Sequence, residues 1–172
     1  PVDCVGAAIQ KKIDAEELDR FRREASVVAS LDHPNIAPIY DVFEHAGRLA
    51  IVMKYIEGRT LRQVLRDRGR LAPDHALDLI EPVLAALGAA HAAGIVHRDV
   101  KPENVMLSDR HALVTDFGVA KAVSDASTGP RLTTAGVAVG TPAYMAPEQA
   151  AADAHVDHRA DIYAFGVVAY EL

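Results

Sequence analysis

The chain has 172 residues, 50% of them hydrophobic and 24% charged, with a formal net charge of -6. That composition suits one folded domain and excludes a disordered segment. The acidic balance excludes an electrostatic nucleic-acid binder, the single cysteine Cys4 excludes an internal disulfide framework, and no apolar run reaches the roughly 20 residues of a membrane span.

A lone cysteine fits a reducing, cytoplasmic compartment. No signal peptide is visible at Pro1. The chain starts without Met and stops at Leu172 inside an apolar pattern, so it reads as a piece of a longer protein, whose other parts are free to include a membrane anchor.

The elements follow in chain order. The apolar run at 5–9 predicts a strand. Residues 14–30 predict a helix, because Leu18, Phe21, Ala25 and Val28 recur at helical spacing and acids crowd the first turn. His33-Pro34-Asn35 breaks it. Residues 36–43 and 48–55 predict two strands joined as a hairpin around Ala46-Gly47, and 56–58 a connector. Beyond Gly58 a short helix at 61–68 precedes a long one at 73–92, with Leu77, Ile80, Leu84, Leu87 and His91 on one face. Pro73 suits its start, and Pro82 predicts a tolerated kink. Ala93-Gly94 ends it. A second hairpin is expected from 105–107 and 113–115, a long irregular segment from 119–147, and an apolar helix from 158–172. Strands with one helix first and helices later predict an α+β fold of two lobes. The join near Gly58 is the candidate cleft.

Three motifs then occur in order: His97-Arg98-Asp99 with Asn104 five residues beyond the Asp, Asp116-Phe117-Gly118, and Ala146-Pro147-Glu148. Together they resemble the signature set of the protein kinases. Any one of them arises by chance; all three in order do not readily do so. The resemblance runs from about Glu17 to Leu172. Lys101, two residues after Asp99, and Gly140-Thr141-Pro142 favour the serine/threonine branch, and Phe21-Arg22-Arg23-Glu24-Ala25 looks like bacterial members. The resemblance implies a partial kinase domain over 1–172, with a partial N-lobe and hinge at 1–56 and a partial C-lobe at 57–172.

It also implies roles. Phosphoryl transfer needs positioning and charge neutralisation more than covalent help. Asp99 would orient an acceptor hydroxyl and accept its proton. Lys101 would face the γ-phosphate. Asn104 and Asp116 would hold magnesium, or manganese, which prefers oxygen ligands and ATP phosphates. Glu24 resembles the helix glutamate that pairs with the nucleotide-binding lysine. Met53, Tyr55 and Ile56 fall at the gatekeeper and hinge, where backbone groups bind adenine, and Met106 would pack beneath it. Arg98 resembles the arginine that meets a phosphate on the activation loop, with Thr133 and Thr134 as phosphoacceptors. Thr141 would line the substrate floor. His97, Phe117, Gly118 and Glu148 match structural positions, and Asp161 resembles the buried aspartate that holds the catalytic-loop backbone. The plainer readings are turn residues for Asp99 and Asp116, a surface charge for Arg98 and Glu24, and core filler for Met106.

Two departures stand out. No G-x-G-x-x-G loop is present, and Gln10 occupies the lysine slot of Ala7-Ala8-Ile9-Gln10. Lys11, ahead of Lys12, fills that role only after a one-residue slip, which flips the side chain to the other face. In the family Glu148 pairs with an arginine beyond Leu172. The reading is therefore a serine/threonine protein kinase acting on protein hydroxyls. The alternative is an inactive pseudokinase or kinase fragment that serves as a binding module. A small-molecule phosphotransferase is weaker, because Lys101 accompanies a full Ala146-Pro147-Glu148 segment. Protein substrates are the expected partners, without nucleic acid or membrane contact from this segment. The protein substrate and the oligomeric state are not legible.

Overall fold

The computed structural model describes residues 4–9, 26–45, 48–108, 111–117, 142–151, 153 and 155–172. The expectations for the helix over 14–25, and for Gln10, Lys11, Lys12, Glu24, Gly118, Thr133, Thr134 and Thr141, lie outside these residues. Among the described residues no helix is long and apolar enough to cross a membrane.

Strands β1 (Cys4–Ile9), β2 (Ile39–His45) and β3 (Arg48–Lys54) form an antiparallel sheet in the order β1-β3-β2. Ile51 of the central strand is buried. His45 pairs directly with Arg48 at the end of the β2–β3 ladder. β2 begins three residues later than the sequence predicts. Pro38 has no N–H to give the ladder, although its carbonyl accepts from Lys54 N at 3.0 Å. Upstream of Pro38 the chain joins the other sheet instead, where Ile36 bridges Val114 in parallel.

That second sheet holds β4 (Arg59–Thr60), β5 (Val105–Ser108) and β6 (His111–Val114) in the order β4-β5-β6. The strands expected at 105–107 and 113–115 are found at 105–108 and 111–114, so each extends further toward the connection than expected, and the second stops one residue early. Thr115 leaves the strand because its N–H goes to the Asn104 carbonyl at 2.9 Å. Residues 35–37 bind the edge of β6: Ala37 N donates to Val114 O, Val114 N to Asn35 O, and the Asn35 side chain to Ala112 O, all within 2.8–2.9 Å. The two sheets are thereby stitched together.

Helix α1 (Leu61–Arg68) starts at a reciprocal cap. Thr60 Oγ1 accepts from Gln63 N at 3.2 Å, and Gln63 Oε1 accepts from Thr60 N at 3.0 Å. Gly69 closes it at φ 71, a left-handed conformation that glycine adopts without strain. Helix α2 (Pro73–Ala92) runs unbroken through Pro82, and Gly94 at φ 76 follows its end. Its buried face differs from the expected one. Val83, Ala86, Leu87 and Ala90 are buried, whereas Leu77 is 61% and Leu84 40% exposed. The alanines are the reason. They let α2 approach β6 and α4 (Arg159–Glu171) closely, which turns the helix toward its small residues. Between these elements Leu61, Val105, Val114 and Val168 complete the core. Each such side chain, fully buried, contributes about 1.5–3 kcal/mol.

Gly58 precedes β4, and Arg59 pairs with Leu107. A Cβ on Gly58 would lie 2.2 Å from the Leu107 carbonyl oxygen, which is ladder backbone and has no room to yield. Gly58→Ala is therefore expected to destabilise the chain by about 1–3 kcal/mol, through overpacking rather than through glycine's flexibility. Thermal unfolding followed by circular dichroism should show a midpoint lowered by several degrees. An unchanged midpoint contradicts this reading of the connector.

Candidate active site

The turn after α2 brings His97, Asp99, Lys101 and Asn104 together. A 3-10 turn, Pro102–Asn104, folds the segment back on itself, with Asn104 N donating to Lys101 O at 2.9 Å. The Asn104 amide nitrogen then donates to the Asp99 carbonyl at 2.8 Å and to Asp99 Oδ2 at 3.1 Å. Lys101 Nζ donates to the same Oδ2 at 2.6 Å. Both donors converge on one oxygen. Among the described residues, Asp99 Oδ1 and the Asn104 amide oxygen keep free acceptor capacity.

The backbone here is strained. Arg98 sits at φ 67 and Asp116 at φ 62, in the left-handed region, which costs a residue with a Cβ about 1–2 kcal/mol. The strained Arg98 is clamped from both sides. Its N–H donates to Asp161 Oδ1 at 2.7 Å, and its carbonyl accepts from the Gln149 amide nitrogen at 2.8 Å. Gln149 is itself placed by the N–H of Ala146, which donates to Gln149 Oε1 at 3.2 Å. Asp161 is fully buried on α4. Its Oδ2 accepts from His97 N at 2.8 Å and from His91 Nε2 at 2.7 Å. A buried carboxylate requires such donors. His91 lies on α2, so the bond also ties α2 to α4.

His97 connects this loop to Asp116. A carbonyl only accepts, so the 2.9 Å contact to Thr115 O makes Nε2 the protonated nitrogen. Nδ1 accepts from Asp99 N at 3.3 Å. Its ring also packs against Phe117, with centroids 4.6 Å apart. Thr115 is held further by its N–H and hydroxyl, both of which donate to the Asn104 carbonyl. The residue preceding Asp116 is thus fixed from two sides. Surrounding protein desolvates the Asp116 carboxyl and raises its pKa; the charge of Asp99 adds to this, while His97 and Lys101 oppose it. Asp116 still meets solvent, which weakens that push. An acid held this way gains from a nearby cation, and with the Asn104 amide oxygen it offers the hard oxygen donors that magnesium prefers. The donor set fits that ion.

Other predicted positions are less closely tied to this cluster. Met53 lies one residue before the end of β3, Tyr55 is 53% exposed beyond it, and Ile56 is half-buried. Met106 lies on β5, paired with Thr60 and Leu113. Glu148, on the short helix α3 (Pro147–Ala150), is half-buried and acts electrostatically on Arg159. Arg98 reaches Val156 O with Nη2 at 3.2 Å, while its Nε is buried without a hydrogen-bond partner. Sequence reasoning gave no role to Gln149, Thr115, Arg62 or Tyr144, and placed His91 only as a helix-face residue. Only Gln149 had a local signal, as the third residue of a helix opening at Pro147.

The profile of the protein kinase domain family matches residues 5–172. The serine/threonine-protein kinase PknL of Mycobacterium tuberculosis is 44% identical over 160 residues, covering 92% of this chain and 39% of that protein. The serine/threonine-protein kinase pkn3 of Myxococcus xanthus is 42% identical over 165 residues, covering 92% of this chain and 30% of that protein. The crystal structure of a mutant form of the Mycobacterium tuberculosis PknI kinase domain superposes with a TM-score of 0.69 at 37% identity, over 91% of this chain and 56% of that one. The chain thus spans well under half the length of the curated relatives it matches, and it belongs to the protein kinase family, among its bacterial serine/threonine members.

Proposed function

We propose that this chain carries the phosphoryl-transfer site of a serine/threonine protein kinase. ATP is the donor and protein serine or threonine hydroxyls are the acceptors. The observation that supports this most is the convergence of Lys101 and Asn104 on one oxygen of Asp99, with Oδ1 left to receive a hydroxyl. Asp99 Oδ1 orients that hydroxyl. As its oxygen bonds to the γ-phosphorus, the bond to the β–γ bridging oxygen breaks and ADP departs. Asp99 receives the proton. Lys101, on a flexible stem, would face the γ-phosphate as charge spreads over the transferring group. Asn104 and Asp116 would hold magnesium, which supplies charge neutralisation between the phosphates.

Met53, Tyr55, Ile56 and Met106 we assign to the adenine side, and residues 1–56 and 57–172 to the two lobes. Thr133 and Thr134 are our phosphoacceptor candidates, with Arg98 as counter-charge. The unpartnered Nε of Arg98 supports that assignment. The cytoplasm is the compartment that suits an ATP-dependent enzyme with a single cysteine.

One observation favours the second reading, a chain that binds and does not transfer. β1 carries no lysine along Cys4–Ile9. Calorimetry with ATP, with and without magnesium, together with a transfer assay on a serine peptide, separates the two. Magnesium-dependent binding with transfer supports the kinase. Binding without transfer supports the module.

Asp99→Asn should lower kcat by about two to four orders of magnitude and leave ATP affinity unchanged. Undiminished turnover removes Asp99 from its role. Asp116→Ala should weaken ATP binding in magnesium by about tenfold or more, and leave magnesium-free binding alone. Equal affinity for the variant and the parent in magnesium contradicts the metal assignment.

A further inference from the structure

We propose that Gln149 is a positioning residue for phosphoryl transfer: its side-chain amide sets the orientation of the peptide unit between Arg98 and Asp99, and so ties the Asp99 carboxylate to the helical turn at 146–149. The inference rests on the phosphoryl-transfer reading above.

A peptide unit is planar, so a bond to its carbonyl and a bond to its N–H together fix its orientation. The unit that joins Arg98 to Asp99 has one bond at each end. Its carbonyl, that of Arg98, accepts from the Gln149 amide nitrogen at 2.8 Å. Its N–H, that of Asp99, donates to His97 Nδ1 at 3.3 Å. The second bond lies beyond the usual range, so the first is the firmer hold. Asp161 holds the two preceding units, through the N–H groups of His97 and Arg98. Asn104 holds the unit that follows, through the Asp99 carbonyl at 2.8 Å. With Arg98 clamped at φ 67, rotation about its Cα–C bond is the freedom left between Asp161 and the Asp99 side chain. Gln149 removes that freedom.

The other end of the same amide faces the chain that enters α3. Gln149 Oε1 accepts from Ala146 N at 3.2 Å, across the first turn of that helix. One planar group therefore bridges the turn at 146–149 and a loop 51 residues away. The two bonds make different demands on the residue type. Glutamine and glutamate serve equally as the third residue of such a cap, because only an acceptor oxygen is used. The bond to the Arg98 carbonyl needs an N–H, which glutamine has and an ionised glutamate lacks. The Arg98 carbonyl, and not the cap, thus selects glutamine over glutamate at this position.

Two variants of the full chain separate positioning from capping. Gln149→Met removes both bonds. Gln149→Glu keeps the acceptor for Ala146 N and sets an oxygen against the Arg98 carbonyl. In both, transfer to a serine peptide should fall in kcat by about tenfold to a hundredfold with KM for ATP unchanged, because the loss lies in the placement of Asp99. The Asp99 amide proton, followed by hydrogen exchange in nuclear magnetic resonance, should exchange about threefold to tenfold faster in both, as the loss of one hydrogen bond implies. Gln149→Glu retains the cap, so it serves where Gln149→Met fails to fold. A Gln149→Glu protein that turns over as the parent does overturns the proposal. So does a rise in KM for ATP at unchanged kcat, or an Asp99 amide that exchanges at the parent's rate. Exchange is read without turnover: faster exchange in the variants of a parent that transfers no phosphate upholds this placement and counts against the transfer reading instead.

Discussion

The buried carboxylate of Asp161 is the constraint on which the site depends. It accepts three hydrogen bonds, two of them from consecutive backbone N–H groups at His97 and Arg98. Those two amides face one carboxylate only if the chain turns sharply there, and the turn is what places Arg98 at φ 67. A left-handed arginine would relax if the surroundings allowed it. Asp161 and Gln149 together do not allow it, and removing one partner from a buried charge costs about 3–5 kcal/mol. The strain of about 1–2 kcal/mol is therefore smaller than the penalty for releasing it.

From that clamp the geometry propagates by short steps. Fixing Arg98 fixes the start of the Asp99 segment. His97 then uses both ring nitrogens: Nδ1 for the Asp99 amide and Nε2 for the Thr115 carbonyl. Asn104 works in the same way, with its side chain on Asp99 and its backbone carbonyl on Thr115. Asp99 and Asp116 are thus positioned against each other by backbone bonds, and their own carboxylates need not pair. This leaves both carboxylates available to ligands while their relative placement stays rigid.

The sequence carried the local features well and the distant ones poorly. α1 and α2 have the expected bounds, and for α2 Pro73 and Gly94 are short-range signals written beside the element they limit. β4 was invisible, since two residues have no periodicity and exist as a strand only through β5. The buried face of α2 was misjudged because apolar spacing favours large residues, whereas close packing selected Ala86 and Ala90. Asp99, Lys101 and Asn104 stood out through the resemblance of their motif to the kinase set, and the structure brings them into direct contact. Arg62 did not, because its partners lie 41, 82 and 109 residues away and nothing local marks the pairing.

Charge accounts for the rest of the arrangement. Around the loop, Asp161 is satisfied by backbone N–H groups and His91, Asp99 by Lys101 and Asn104, and Glu103 and Glu171 by Arg62. Asp116 alone among these acids has no hydrogen-bonded partner among the described residues, and desolvation together with Asp99 makes its negative charge less favourable. A cation beside Asp116 would reduce that penalty, and the oxygen of Asn104 is a second donor of the hard type. Lys101 is already engaged with Asp99, so it neutralises Asp116 only in part. Among the described residues, Asp161, Asp99, Glu103 and Glu171 are each compensated within the chain, and Asp116 is the acid of this group left over.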